Sequence, residues 1–391
     1  MKLSFLDPLT KEPGPWGSVY LDTSRDIDDP DKAIELRWPH QRDALRAQGA
    51  DPATVSALES VIGTDQDLPG RHGQALFATD GHVVLVGELP EPPVHDAAWF
   101  GRLPNALPLA IQHAPDIPYV AIALTRDGGF LDTGEPDTGE LAADEEREQG
   151  PEDHVLIAYE AGRWPISTVT RGRPTRLRVP AEGWQHAARS LAQEIADLAD
   201  RHHAERIVLR RDTGEAWLSG VLVNRLPRHL QDCTSVVEEE PDTALDGDTG
   251  TALIEKQVAA VLDGRLSMAD RRQVDAFYAQ RARHPALSEG IPAVVAALQR
   301  GQAQAVLFTP PVGLRENLFA ATDPDQIALS APELEAFGAS GVREEPAEAV
   351  LLHAALRTGA ELIVLLPDET PLTDGVGVLL RYQEVADVTA L

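Results

Sequence analysis

GWQHAARSLAQEIADLADRHHAERIVLRR, residues 183–211, changes its hydrophobic period part-way along. Between Gly183 and Ala204 the residues Ala187, Leu191, Ile195 and Leu198 recur every three or four positions, which puts them on one face of a helix. From Glu205 to Arg211 a short run with β-branched residues has the length of a strand. The alternation continues downstream, where EAWLSGVLVNRLP (215–227) is expected as a helix stopped by Pro227 and TSVVEE (234–239) as another strand. Upstream, IPYVAIALTRDGGFLDTG (117–134) is expected as two strands about Asp127-Gly128-Gly129, and HVLIAYEAG (154–162) as a further strand. This β-α-β-α-β rhythm specifies an α/β layer with parallel strand pairs.

Either side lies material for further domains, as a length of 391 residues requires. WGSVYLDTS (16–24) has strand character and precedes a helix start at Asp28-Asp29-Pro30. Pro39 implies a kink or break in that helix, and Asp51-Pro52 starts another. GQALFATDGHVVLVGEL (73–89) is a hairpin about Asp80-Gly81, and ALPLAIQ (106–112) is apolar. HAPDIP (113–118) and the acidic EEEPDTALDGDTG (238–250) have linker composition. After the second linker, helices are expected from Ala252 to about Arg283, over 290–300 and over 346–359, with strands at 303–310, 360–367 and 375–383. The expected division is 1–114, 115–240 and 251–391, each segment mixed α/β.

With 63 acidic and 34 Lys and Arg side chains, a formal charge of -29 argues against non-specific nucleic-acid binding by the whole surface. Any such contact is local. No apolar stretch is long enough to span a membrane, which points to a soluble, cytoplasmic protein. Cys233 stands alone and is expected as a small buried hydrophobe. Phosphate-loop, dinucleotide-binding and nucleophile-elbow motifs are absent, so no cofactor or metal is expected. His202-His203 is read as a helix end, and Ser219 as a surface or packing residue.

One segment runs against the charge of the chain. In TRGRPTRLRVPAEGWQ (170–185), Arg171, Arg173, Arg176 and Arg178 fall within eight positions, and no acid appears until Glu182. Pro174 and Pro180 disfavour a central strand or helix, so these arginines and Arg163 are expected on an irregular arm or edge hairpin. Two readings are open. The guanidinium groups can pair with the acidic segment 132–153, or they can bind phosphates while Trp164 or Trp184 stacks on unpaired bases.

LDPL and GPWGSVYLDTSR near the start, IPYVAIALTRDGGF in the middle, and EGIPAVVAALQRGQAQAVLF, EAVLLHAALRTGAELIVLL and LTDGVGVLLRY near the end occur in this order. Together they resemble the bacterial branch of the archaeo-eukaryotic release factors, a group that includes Pelota and the hibernation factor Balon. The resemblance implies a three-domain release-factor-like architecture whose third domain resembles a kink-turn-binding ribosomal-protein fold. It also implies a monomer that meets ribosomal RNA near the A site and peptidyl transferase centre, and a translational GTPase such as elongation factor Tu as a further partner. Release factors of the family carry a Gly-Gly-Gln loop before the long helix of the middle domain. Here the corresponding residues are Gly183, Trp184 and Gln185, preceded by Glu182.

An indole within a loop that must place a water at an ester hinders hydrolysis, so the expected role is a non-catalytic occupant of the A site in hibernation or quality control. Under that role Arg163, Arg171, Arg173, Arg176, Arg178 and Trp184 contact RNA. Two alternatives stay open: a peptidyl-tRNA hydrolase or release factor in which Gln185 orients water, and a stress-related protein-binding factor that does not act on the ribosome.

Overall fold

A computed structural model describes residues 1–66, 68, 70–127, 154–165, 175–212, 216–239, 257–309, 311, 313–314, 316–321, 323, 326–366 and 371–382. Strand β1 (Trp16–Asp22) is followed by helices α1 (Pro30–Ala47) and α2 (Pro52–Glu59). Both helices begin as the Asp-Pro pairs require. Asp29 and Asp51 accept hydrogen bonds from the backbone N–H of Lys32 and Thr54, and the prolines occupy the first turns. The break expected at Pro39 does not occur, and α1 continues for 18 residues. Its buried Ile34, Trp38, Gln41 and Leu45 tie both sides of the proline to the core, which offsets the lost backbone hydrogen bond.

Strands β2 (Gly73–Thr79) and β3 (His82–Leu89) form the expected hairpin, with Asp80 and Gly81 at φ 47° and 78°. With β4 (Ala97–Gly101) they make an antiparallel sheet in the order β3-β2-β1-β4, and helix α3 (Leu107–His113) follows. Period-two alternation divides the sheet between two cores. Val19, Leu76 and Ala78 pack with Trp38, Leu45, Val55 and Leu58, whereas Tyr20, Ala75, Phe77 and Leu89 belong to a second, larger cluster.

In the middle of the chain, β5 (Ile117–Asp127) pairs antiparallel with β6 (His154–Trp164), and β7 (Thr175–Pro180) adds an edge. Helix α4 (Trp184–His202) leads to β8 (Arg206–Asp212), which lies parallel to β5. Helices α5 (Ala216–Val223) and α6 (Arg228–Asp232) then precede β9 (Thr234–Glu239), parallel to β8. The sheet order is β7-β6-β5-β8-β9. Val120, Ile122, Leu124, Val155, Ile157 and Tyr159 meet Leu191, Ile195, Leu218 and Leu222 on one face. On the other, Tyr119, Ala121, Ala123 and Val208 pack with Val258 and Leu262, within the helical residues 257–262.

The remaining elements are α7 (Met268–Arg283), α8 (Ile291–Gln299), β10 (Ala303–Phe308), β11 (Asn317–Ala320), β12 (Ile327–Ala328), α9 (Ala331–Ala336), β13 (Arg343–Pro346), α10 (Ala347–Thr358), β14 (Glu361–Val364) and β15 (Val376–Leu380). They give two three-stranded sheets, β14-β10-β15 with one parallel pair and β12-β11-β13. Helix α10 ends at Gly359, whose φ of 65° needs no side chain to be accommodated. Val294, Leu298, Val306, Val350 and Leu351 fall in the same hydrophobic cluster as Leu6, Tyr20 and Phe77. The chain accordingly divides into two compact units, one made of Met1–Asp116 with Gly264–Leu391 and the other of Ile117–Asp263.

Candidate functional site

Strand β7 carries the described part of the arginine segment. Pro174 lies outside the described residues, and Pro180 closes the strand, so its lack of an N–H falls at a terminus instead of breaking the ladder. Of the two forms expected, an irregular arm or an edge hairpin, residues Thr175–Pro180 take the second, a regular edge strand antiparallel to β6. Arg176 stands opposite Ala158 and Arg178 opposite Leu156, both arginines are exposed, and both project on the sheet face away from α4. Arg171 and Arg173 lie outside the described residues, as does the acidic segment 132–153.

The register extends that face across the sheet. Arg176 faces Ala158, Ala158 faces Ala123, and Ala123 faces Arg210, so two arginines bracket two alanines in one row. Arg206 shares the face two rows towards the start of β8, opposite Tyr119, with Val208 between it and Arg210. Arg210 is almost fully buried, with Asp212 3.8 Å from its guanidinium. Sequence reading named neither Arg206 nor Arg210 as site residues. The signal was present in ERIVLRR, where the strand period alternates Arg206, Val208 and Arg210 on one side.

Arg163 is not part of this group. It sits half-buried in β6 opposite Pro118, on the α4 face of the sheet, so its expected place on the arm is corrected. Gly162 beside it has a local reason, since a Cβ there would lie 2.5 Å from the Tyr119 side chain.

Before α4, Ala181–Gly183 form one 3-10 turn and Trp184 is the first residue of the helix. Trp184 is completely buried and donates its indole N–H to the Leu218 carbonyl at 3.3 Å. It cannot stack on a base, and the RNA contact expected for it is corrected to a packing role. Gly183 has φ -84° and only Val179, 3.9 Å away, near a Cβ, so the site makes no special demand for glycine. Gln185 is exposed on the first turn of α4. On the same helix Glu194 accepts the Tyr159 hydroxyl at 2.6 Å. Burial, then the Glu194 carboxylate, pushes the Tyr159 phenol up to about 12. His203 ends α4 with φ 52°, and Ser219 is buried with its hydroxyl on the Ala216 carbonyl. Cys233 is half-buried where full burial was expected. Its thiol lies 3.3 Å from the Leu230 carbonyl, and partial burial raises its pKa.

A second polar constellation surrounds the end of β1 in the other unit. Asp65 accepts from the Thr23 hydroxyl at 2.6 Å and lies 3.1 Å from His72 Nε2. Burial pushes the carboxyl upwards, but the hydrogen bonds from His72 and Thr23 outweigh it and hold Asp65 below the ordinary carboxylate range. Arg37 donates to Asp22 at 2.9 Å nearby. The Ser24 hydroxyl meets the His72 backbone instead of its ring, so a nucleophilic relay is not assembled. Among the described residues, no group of three or more His, Cys, Asp or Glu side chains is arranged to hold a metal ion, and no helix is long and apolar enough to cross a membrane.

Residues 118–283 match the model of the bacterial archaeo-eukaryotic release factor family 2. The family resemblance read from the sequence is borne out over this segment. The uncharacterized protein Rv2629 of Mycobacterium tuberculosis is 25% identical over 375 residues, which cover 94% of each chain. Among solved structures, Archaeoglobus fulgidus Pelota is 10% identical, with 97% of this chain and 91% of that chain covered at a TM-score of 0.35. An archaeal translation termination factor, aRF1, is 13% identical, with 97% and 96% covered at 0.20. Both scores are low, and the mixed α/β architecture stands on the strands and helices of the chain itself.

Proposed function

We propose that this chain is a ribosome-binding translation factor that occupies the A site of idle or stalled ribosomes without hydrolysing peptidyl-tRNA. The observation that carries the reading is the burial of Trp184, which holds the Gly183–Gln185 corner in a short turn and the first turn of a helix. A loop that delivers water to an ester needs backbone freedom and close approach, and an indole anchored beneath α4 works against both. The family match supports a place in translation, and the exposed Arg176 and Arg178 supply the local positive charge that an otherwise acidic chain needs to meet RNA. On this reading the factor acts as a monomer in hibernation or quality control, needs no cofactor of its own, and is delivered or displaced by a translational GTPase of the elongation factor Tu type.

Vacant ribosomes incubated with the full chain are expected to retain it on pelleting. Release of a labelled peptide from peptidyl-tRNA in the P site is expected to stay at background for the wild type and Gln185→Ala alike. Release by the wild type that disappears in Gln185→Ala overturns the non-catalytic reading in favour of a hydrolase. Failure to pellet overturns ribosome binding itself.

A further inference from the structure

Helix α7 inverts the charge of the chain. Residues 264–284 hold five arginines and two aspartates, against 34 bases and 63 acids overall. One of the two acids is withdrawn from the surface, because Asp270 is buried and accepts from the Met1 ammonium at 2.7 Å. The inner face of α7 is fully engaged. Val274 and Phe277 are buried, Phe277 so close to β15 that a Cβ on Gly377 would lie 2.9 Å from its ring, and the Gln280 amide donates to Val378 O and accepts from Leu380 N. The outer face has no such role.

Arg271, Arg272 and Arg283 are exposed, and the same arc of the helix holds exposed Ala276, Ala279 and Ala282 and the second acid, exposed Asp275. At 100° per residue these positions fall within about 140° and extend over about 18 Å of axis. Exposed Arg265 continues the charge just before the helix. Among the described residues, Arg265, Arg271 and Arg272 form no ion pair, whereas Arg281 is bonded to Glu289 at 2.8 Å. Exposed arginines in a chain with nearly twice as many acids as bases find carboxylates readily, so three without an ion pair among the described residues, set against the single exposed acid Asp275, leave this side of the helix net positive.

We propose that this outer face of α7 binds the phosphate backbone of RNA, as a second contact separate from the β7 arginines. The choice of RNA as the polyanion rests on the ribosome-binding reading above. The composition favours phosphate over a protein partner: protein interfaces centre on buried aromatic and large apolar anchors, and this arc offers three arginines and three alanines against one carboxylate, Asp275, and one large apolar side chain, Met268, at its start. Alanines keep the surface low, so a backbone can lie along the helix while guanidinium groups engage its phosphates bidentately.

The test uses the full chain, vacant ribosomes and a salt series. Arg265→Ala/Arg271→Ala/Arg272→Ala is expected to weaken pelleting about tenfold near physiological salt and to flatten the salt dependence by about two to three units of log–log slope. Its thermal unfolding is expected to match the wild type, as surface substitutions do. A photoreactive diazirine side chain at Ala276 is expected to cross-link to ribosomal RNA. Pelleting of the triple variant that equals wild type at every salt overturns this surface and leaves ribosome binding standing. Weaker pelleting with cross-links only to a ribosomal protein overturns RNA as the partner. Absence of pelleting by the wild type overturns both proposals together.

Discussion

The indole N–H of Trp184 donates to the carbonyl of Leu218 at 3.3 Å, joining the first residue of α4 to α5 beneath the corner that begins the long helix. One side chain therefore serves as helix start, core filler and anchor. Trp184→Ala is expected to cost about 3–5 kcal/mol of stability, the range for removing a large buried aromatic. Trp184→Phe keeps most of the packing and is expected to lose far less. Urea unfolding followed by circular dichroism separates the two, and equal losses would contradict the packing role.

Replacing Arg171, Arg173, Arg176 and Arg178 together by alanine tests the basic segment. Ribosome binding is expected to weaken, with a log–log salt slope flatter by about three. For Arg176 and Arg178, which are exposed, the change in stability is expected to be less than about 0.5 kcal/mol. Binding unchanged across the salt series would remove these arginines from the interface.

Tyr159→Phe removes the bond to Glu194 and is expected to destabilise by about 1–3 kcal/mol, the range for a hydrogen bond with a charged partner. The raised phenol pKa makes the folded state the better proton binder. Its contribution is present below pH 10, the ordinary tyrosine value, and is lost as pH rises towards about 12. Ultraviolet titration of wild type against Tyr159→Phe reads this directly, and a phenol titrating near 10 in the folded protein would refute it.

Asp65 has the opposite sign. Its carboxyl is held below the ordinary value of 3.8, so its contribution is present above that pH and is lost as pH falls through the lowered folded value. Asp65→Asn is expected to cost about 1–3 kcal/mol at neutral pH and to reduce the acid sensitivity of unfolding below about pH 4. Denaturation midpoints measured from pH 3 to 7 check this, and parallel curves for the two proteins would refute it.

Much of the local structure was legible without coordinates. Asp29-Pro30 and Asp51-Pro52 state where helices begin, and Asp80-Gly81 states a two-residue turn, because each signal acts through the backbone of its own neighbours. The apolar period of 183–204 and the β-rich run after it gave the helix and the parallel strand that define the middle unit. The short β11, β12 and β13 gave no such signal, since two to four residues are too few to establish a period.

What only the tertiary structure decided is which residues meet across distance. Trp184 looks in sequence like an aromatic beside a basic arm, and it is a core residue because α5 supplies a carbonyl and an apolar surface 34 positions away. Arg163 and Arg176 look like members of one basic group, yet strand register sends them to opposite faces of the sheet. Arg210 joins the Arg176 row only through pairings with Ala123 and Ala158. The chain's two ends likewise share a core in which Phe77 and Val350 belong to one cluster. Periodicity states which face of an element must be buried, because that follows from helix and strand geometry. It does not name the partner, because hydrophobic burial is non-directional and register is set by pairing and packing over the whole fold.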